Sequence, residues 1–212
     1  MKTKGKLITF EGPEGSGKST QIDLLADNLK DKGIDVLITK EPGGTKIGQD
    51  IRNILLDNDN QNMDYKTELL LYVADRRQHI AEKILPALKD GKIVISDRFF
   101  DSTFAIQKAR CIDEDFIKKV NDIAISWNDK KIIPDLTFLL DIPVAKGFER
   151  IESKRGKDRL EIENENFYKK VRKNYLEIAN NNSKRFVVVN ADKEKEKLQE
   201  KILSKFLERL SK

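Results

Sequence analysis

A single cysteine, a single histidine and a single tryptophan stand in a chain of 212 residues. One Cys cannot close an intrachain disulfide, which excludes the stapled scaffolds of secreted proteins and points to the cytoplasm. Nor do His79 and Cys111 offer a cluster for zinc or a supported Cys–His pair. Long apolar runs are missing too. None approaches the roughly 18 residues of a spanning helix, so no membrane partner is expected. There is no internal repeat, no Pro- or Ser-rich linker and no break in composition, so residues 1–212 read as one domain. A dominance of one charge is also absent: 41 basic residues are interspersed with 36 acidic ones, for a net +5. That modest excess suits small phosphorylated ligands as readily as a polynucleotide.

What is present is an alternation of two periods. Residues 7–10, 34–38, 93–96, 136–140 and 185–189 are short apolar runs that read as buried strands. Between them the apolar residues recur at helical spacing. Ile22, Leu25, Ala26 and Leu29 share a face over 18–32, and Ile47, Ile51, Ile54 and Leu55 point inward over 46–57. A long helix over 66–90 carries Leu69, Tyr72, Val73, Ile80, Ile84 and Leu88 and ends at Gly91, and 113–129 reads as one helix. A final helix buries Leu198, Ile202, Leu203, Phe206 and Leu210. The pattern predicts an α/β fold, a five-stranded parallel sheet with helices on both faces and ligands at the carboxyl ends of the strands.

The first strand runs into Gly12-Pro13-Glu14-Gly15-Ser16-Gly17-Lys18-Ser19-Thr20, the spacing G-x-x-x-x-G-K-S followed by a helix. Glycines let the backbone N–H groups close around phosphate, and the helix adds its positive N-terminal end. Lys18 reaches the outer phosphates and the Ser19 hydroxyl suits Mg²⁺. Glu14 is out of place beside phosphate. It reads either as a solvated loop acid or as one turned toward a second substrate or metal-bound water.

Asp97-Arg98 leaves the third strand directly, where a carboxylate supports Mg²⁺, partly through water, and an Arg neutralises a phosphoryl group; Asp97 equally suits a helix cap. Tyr72 and Arg76 share a helix face, a ring and a donor suited to a nucleobase, or else a core edge with a solvated charge. Residues 143–163 are rich in cations (Lys146, Arg150, Lys154, Arg155, Lys157, Arg159) and read as a lid over ATP or as a solvated charge run.

Taken in order, these motifs resemble the thymidylate kinases, a branch of the P-loop nucleoside monophosphate kinases. The resemblance is carried by Phe10 to Thr20, Glu41-Pro42-Gly43-Gly44-Thr45, Ile51 to Leu56, Tyr72-Val73-Ala74-Asp75-Arg76 and Asp97-Arg98-Phe99 through Ser102-Thr103. It continues in Pro134-Asp135-Leu136 and Arg155-Gly156-Lys157-Asp158-Arg159 and spans nearly the whole chain.

The resemblance implies ATP-dependent phosphorylation of dTMP to dTDP with Mg²⁺, a homodimer, and no nucleic-acid partner. It implies that Lys18, Arg98, Glu14, Asp97, Arg155 and Arg159 act in catalysis and that Arg150 joins the P-loop in holding ATP. Arg52 and Arg98 would hold the acceptor phosphate. Tyr72, Arg76, Ser102, Thr103 and Gln107 would line the thymidine side, with Arg76 donating to thymine O4. Gly15 stands where some members carry a P-loop Arg, and the lid arginines stand where those members lack them. The chain departs at Ile106, where members carry a Tyr packed against the deoxyribose. The alternatives are a kinase of another nucleoside monophosphate such as dUMP and a non-catalytic nucleic-acid-binding module.

Overall fold

The computed structural model describes residues 5–152 (for 151 and 152 the backbone alone), 159 and 163–210. β1 (Lys6–Glu11), β2 (Val36–Lys40), β3 (Ile93–Asp97), β6 (Leu136–Asp141) and β7 (Phe186–Asn190) form one parallel sheet in the order β2-β3-β1-β6-β7. β1 is central. The five carboxyl ends therefore gather on one rim, the P-loop leaving its middle.

Period-two alternation sorts the strands' side chains to two faces. Ile8 and Phe10 of β1, with Phe138, Leu140, Val187 and Val189, pack under α1 (Lys18–Lys30) and α9 (Lys195–Leu210). Leu7 and Val94 point the other way, into a cluster with Ile80, Ile84, Leu85 and Phe99. Leu139 and Phe186 meet α5 (Phe100–Ala109) and α8 (Glu165–Asn181) on that same face. Thr9 and Thr137, register partners inside the sheet, satisfy each other at 2.8 Å.

α2 (Lys46–Leu56) starts on a Thr45 cap whose side chain accepts from the Gly48 N–H. Of the four apolar residues expected inward only Leu55 is fully buried and Ile51 partly so; Ile47 and Ile54 face outward, contrary to the inward stripe expected from their spacing.

The second strand begins at Val36, later than expected, and as an edge strand it leaves Ile38 exposed. The long helix is three pieces, α3 (Tyr65–His79), a wide turn over Ile80–Ile84 and α4 (Leu85–Lys89). Leu85 N–H reaches back five residues to the Ile80 carbonyl, a wide spacing that makes room for Pro86.

The helix expected over 113–129 stops at Ile125 as α6 (Glu114–Ile125). A hairpin follows, β4 (Ser126–Trp127) with β5 (Lys130–Lys131), turned by Asn128 and Asp129 at φ 45° and 61°. Asn and Asp tolerate that left-handed backbone better than other side chains. The basic stretch after β6 opens as a helix, α7 (Val144–Glu152), and α8 is a helix that the sequence reading did not name. Among the described residues no helix is long and apolar enough to cross a membrane.

Candidate active site

A cavity of about 770 Å³ opens on the rim of the sheet, with the P-loop as its floor. Lys18 is buried there and its Nζ donates to the Gly12 and Pro13 carbonyls, each at 3.1 Å. Burial and the nearby Arg98 push its pKa down, while Glu14 and Asp97 oppose the shift. The Ser16 hydroxyl is buried in the same loop without a hydrogen-bond partner. Ser19 Oγ donates to Asp97 Oδ2 at 3.0 Å, so the loop and the end of β3 present a hydroxyl and a carboxylate side by side.

Gly15 adopts φ 73°, and a Cβ there would lie 2.3 Å from the Gly147 carbonyl of α7. No side chain fits at 15. α7 thus rests on the P-loop backbone, and its Arg150 bridges the Gly15 carbonyl (3.3 Å) and the Ala191 carbonyl after β7 (3.2 Å). Gln21, Lys193, Lys195 and Leu198 line this end of the cavity.

Arg98 joins the two ends. Its backbone sits at φ 72°, a conformation strained for a side chain of its size. Three bonds hold it: Arg98 N–H to the Phe10 carbonyl, Ser96 Oγ to the Arg98 carbonyl, and Phe99 N–H to Glu11 Oε1. The guanidinium then ion-pairs with Glu14 and donates to the Gly12 carbonyl, Ser102 Oγ and Tyr175 OH at 3.0–3.1 Å. Burial alone would raise the Glu14 pKa, but Arg98, Lys18 and Arg52 outweigh it and hold the carboxyl down at about 2. Glu14 is therefore ionised and paired with Arg98, while part of its side chain still meets solvent.

The other end of the cavity is built by α3 and α5. Tyr72 and Arg76 both reach the cavity, with Arg52, Ser102, Thr103 and Ile106. Arg76 is buried over the Phe99 ring and donates through Nε to Glu41, through Nη1 to Asn121 and through Nη2 to Thr103, at 2.8–2.9 Å. Arg52 Nη1 donates to the Pro42 carbonyl at 3.1 Å.

Two residues given to the site by resemblance, Gln107 on the thymidine side and Arg159 in the lid, lie behind the cavity wall. Gln107 is buried and donates to Glu68 at 2.7 Å. Arg159 donates to Glu68 at 2.5 Å and to the Leu55 carbonyl at 2.8 Å, so its charge is spent on a buried carboxylate rather than on the cavity. Arg110 shares that carboxylate at 2.9 Å. Arg155 lies outside the described residues.

The sequence reading missed Glu11, Tyr175, Glu41 and the aromatic pair Phe167 and Tyr168, all of which the cavity or its supports use. An acid closing an otherwise apolar strand was the available signal for Glu11, whose proton is held by burial and the neighbouring Asp101 up to about 8.

The family model described as "Thymidylate kinase" matches residues 10–202. A thymidylate kinase of Halothermothrix orenii is 48% identical over 207 residues, covering 95% of this chain and 96% of that one. One of Geobacillus sp. is 46% identical over 193 residues, 90% of each chain. The crystal structure of thymidylate kinase from Ehrlichia chaffeensis superposes with a TM-score of 0.77 at 34% identity, covering 95% of this chain and 97% of that one. The family match over residues 10–202 and relatives alike over nine-tenths or more of both chains place the chain in the thymidylate kinase family.

Proposed function

We propose that this chain transfers the γ-phosphoryl group of ATP to dTMP, giving ADP and dTDP. The observation that carries the proposal is Arg98, which stands between the P-loop carbonyl of Gly12 and the acceptor-side groups Ser102 and Tyr175. An oxygen of the acceptor phosphate attacks the γ-phosphorus as the bond to the ADP oxygen breaks. A phosphate monoester is already largely dianionic at neutral pH, its second pKa being about 6, so the attack needs no general base. Glu14, held ionised, accepts from Arg98 and aims it. Lys18, Arg98 and Arg52 neutralise the two sets of phosphate oxygens, and alignment supplies the rest of the acceleration.

Ser19 and Asp97 are hard oxygen donors 3.0 Å apart, a set that fits Mg²⁺, which binds through one or two protein oxygens and otherwise through phosphate and water. When bound, Mg²⁺ would neutralise charge on the donor phosphates. The Ser16 hydroxyl would donate to phosphate, and Gln21, Arg150 and Lys195 would flank the rest of ATP. Residues 143–163 would act as a lid on a single domain, a reading supported by the seat of α7 on the P-loop. Arg155 would act on the migrating phosphoryl group as the resemblance implies, whereas Arg159, paired with Glu68, would do so only after leaving that carboxylate. Tyr72 would stack on the base, and Arg76 and Thr103 would read its polar edge.

Exposed Ile47, Ile54 and Leu70 on α2 and α3 support a homodimer, and the lone Cys111 supports a cytoplasmic location.

An acceptor panel of dTMP, dUMP, the thymine ribonucleotide, thymidine and dGMP tests the proposal by ADP release. Highest kcat/KM on dTMP is expected, and preference for any other acceptor overturns it. The relatives do not favour dUMP.

A further inference from the structure

Behind the acceptor end runs a chain of buried polar groups that the transfer itself does not touch. Thr39 Oγ1 lies 2.6 Å from His79 Nε2. His79 Nδ1–H donates to Glu41 Oε1 at 2.9 Å, and Glu41 Oε2 accepts from Arg76 Nε at 2.8 Å. Thr39, Glu41, Arg76 and His79 are all buried, and His79 and Glu41 lie 38 residues apart in sequence. Both carboxylate oxygens of Glu41 are therefore occupied, one by the ring and one by the guanidinium.

The same short loop also holds the other acceptor arginine. The Pro42 carbonyl, next to Glu41, accepts from Arg52 Nη1 at 3.1 Å. The loop is pressed against α3. A Cβ on Gly44 would come within 2.6 Å of the His79 ring, and Gly43 N–H donates to Asp75 Oδ1 at 3.0 Å. Three of the five Arg76 N–H groups are committed to Glu41, Asn121 and Thr103, which leaves two with a fixed direction.

We propose that Thr39, His79 and Glu41 are positioning residues that set Arg76, and through the Pro42 carbonyl Arg52, so that the Glu41–Gly44 loop gauges the span between the base and the phosphate of the acceptor. This rests on the acceptor reading given above. The loop holds one arginine by a side chain and the other by the adjacent backbone carbonyl, so a shift of the loop moves both. The phosphate-donor site shares none of these bonds.

The test is steady-state kinetics on the full chain with Thr39→Val, His79→Gln and Glu41→Gln, each alone and combined with Arg76→Ala. Each single change is expected to lower kcat/KM for dTMP by roughly tenfold and to leave the KM for ATP within about twofold, the scale of coupling between contacting groups. On the Arg76→Ala background the Thr39 and His79 changes should cost clearly less than they do alone, because the part that runs through Arg76 is gone and only the part that reaches Arg52 through the Pro42 carbonyl is left. A purely structural role would give additive losses and raise both KM values together, and either result overturns the proposal. Thr39→Val keeps the side-chain shape, so it decides the matter even where His79→Gln fails to fold. A wild-type chain that turns over another acceptor but not dTMP would bring down the substrate assignment. Unchanged dTMP kinetics in all three variants of an active dTMP kinase would bring down only the gauge.

Discussion

The Glu14 carboxylate at the crest of the P-loop ion-pairs with the Arg98 guanidinium at the exit of β3. Two loops that leave neighbouring strands are thereby joined at the point where donor and acceptor phosphates would face each other. The pair is an orienting device, since Glu14 accepts and cannot donate while ionised.

Glu14→Gln keeps the shape and removes the charge. It should lower kcat/KM for dTMP roughly ten- to a hundredfold, the worth of a charge-assisted hydrogen bond. Because the Glu14 carboxyl is held down at about 2, it does not titrate near neutrality, and the acid limb of the wild-type pH–rate profile should persist in the variant. A limb that vanished in Glu14→Gln would show that Glu14 is the titrating group.

Gly15→Ala probes the seat of α7. At φ 73° and with the Gly147 carbonyl in the way, the added methyl must push the helix off the loop. We expect a loss of about 1–3 kcal/mol in urea unfolding and a raised KM for ATP with the KM for dTMP little changed. A variant as stable as wild type would contradict the close contact.

Glu11 makes a pH prediction with a definite sign. Its carboxyl is raised from 4.5 to about 8 by burial and by Asp101, so between those values the folded chain keeps a proton that the unfolded chain releases. Stability contributed by this site therefore falls as pH rises from about 4.5 to about 8. Glu11→Gln mimics the protonated form and can still accept from Phe99 N–H. The Tm of Glu11→Gln should decline less across that window than the Tm of wild type, and parallel slopes would refute the assignment.

Arg185 is the fourth target. It grips Asp101 through two bonds at 2.7 and 2.8 Å, donates to Thr137 and lies over the rings of Phe100 and Phe186. Arg185→Leu would strand a buried carboxylate, and a loss of about 3–5 kcal/mol in denaturant unfolding is expected. Asp101→Asn should instead move the Glu11 titration downward, since the Asp101 charge is one of its causes. NMR titration of the Glu11 carboxyl reads this directly.

The strands and the phosphate loop were legible in the sequence because each depends on local signals, an apolar run or a fixed spacing of glycines. The hairpin at Asn128 and Asp129 was missed because its turn carries no glycine, although both residue types accept positive φ. Helix α8 has Phe167, Tyr168, Val171, Tyr175 and Ala179 at helical spacing, but the lysines and arginines between them masked the stripe. In α2 the apolar residues gave the right helix but only half of the inward face, Leu55 and in part Ile51, since spacing alone does not say whether a residue meets the core or the surface. His79 offered nothing to a reader looking for metal ligands. Its partners, Glu41 and Thr39, lie 38 and 40 positions away and meet it only once β2 has been laid beside α3.

Gly15 and Gly147 touch main chain to main chain. Such a joint has no side chain that could be trimmed on one partner to accommodate growth on the other, so a larger residue at 15 cannot be rescued by a smaller one at 147. The joint is equally indifferent to salt and pH, because neither glycine side carries a group that ionises. Adaptation of the donor site to heat, cold or ionic strength would have to proceed around this contact, through residues such as Arg150 and Lys195 at its margin.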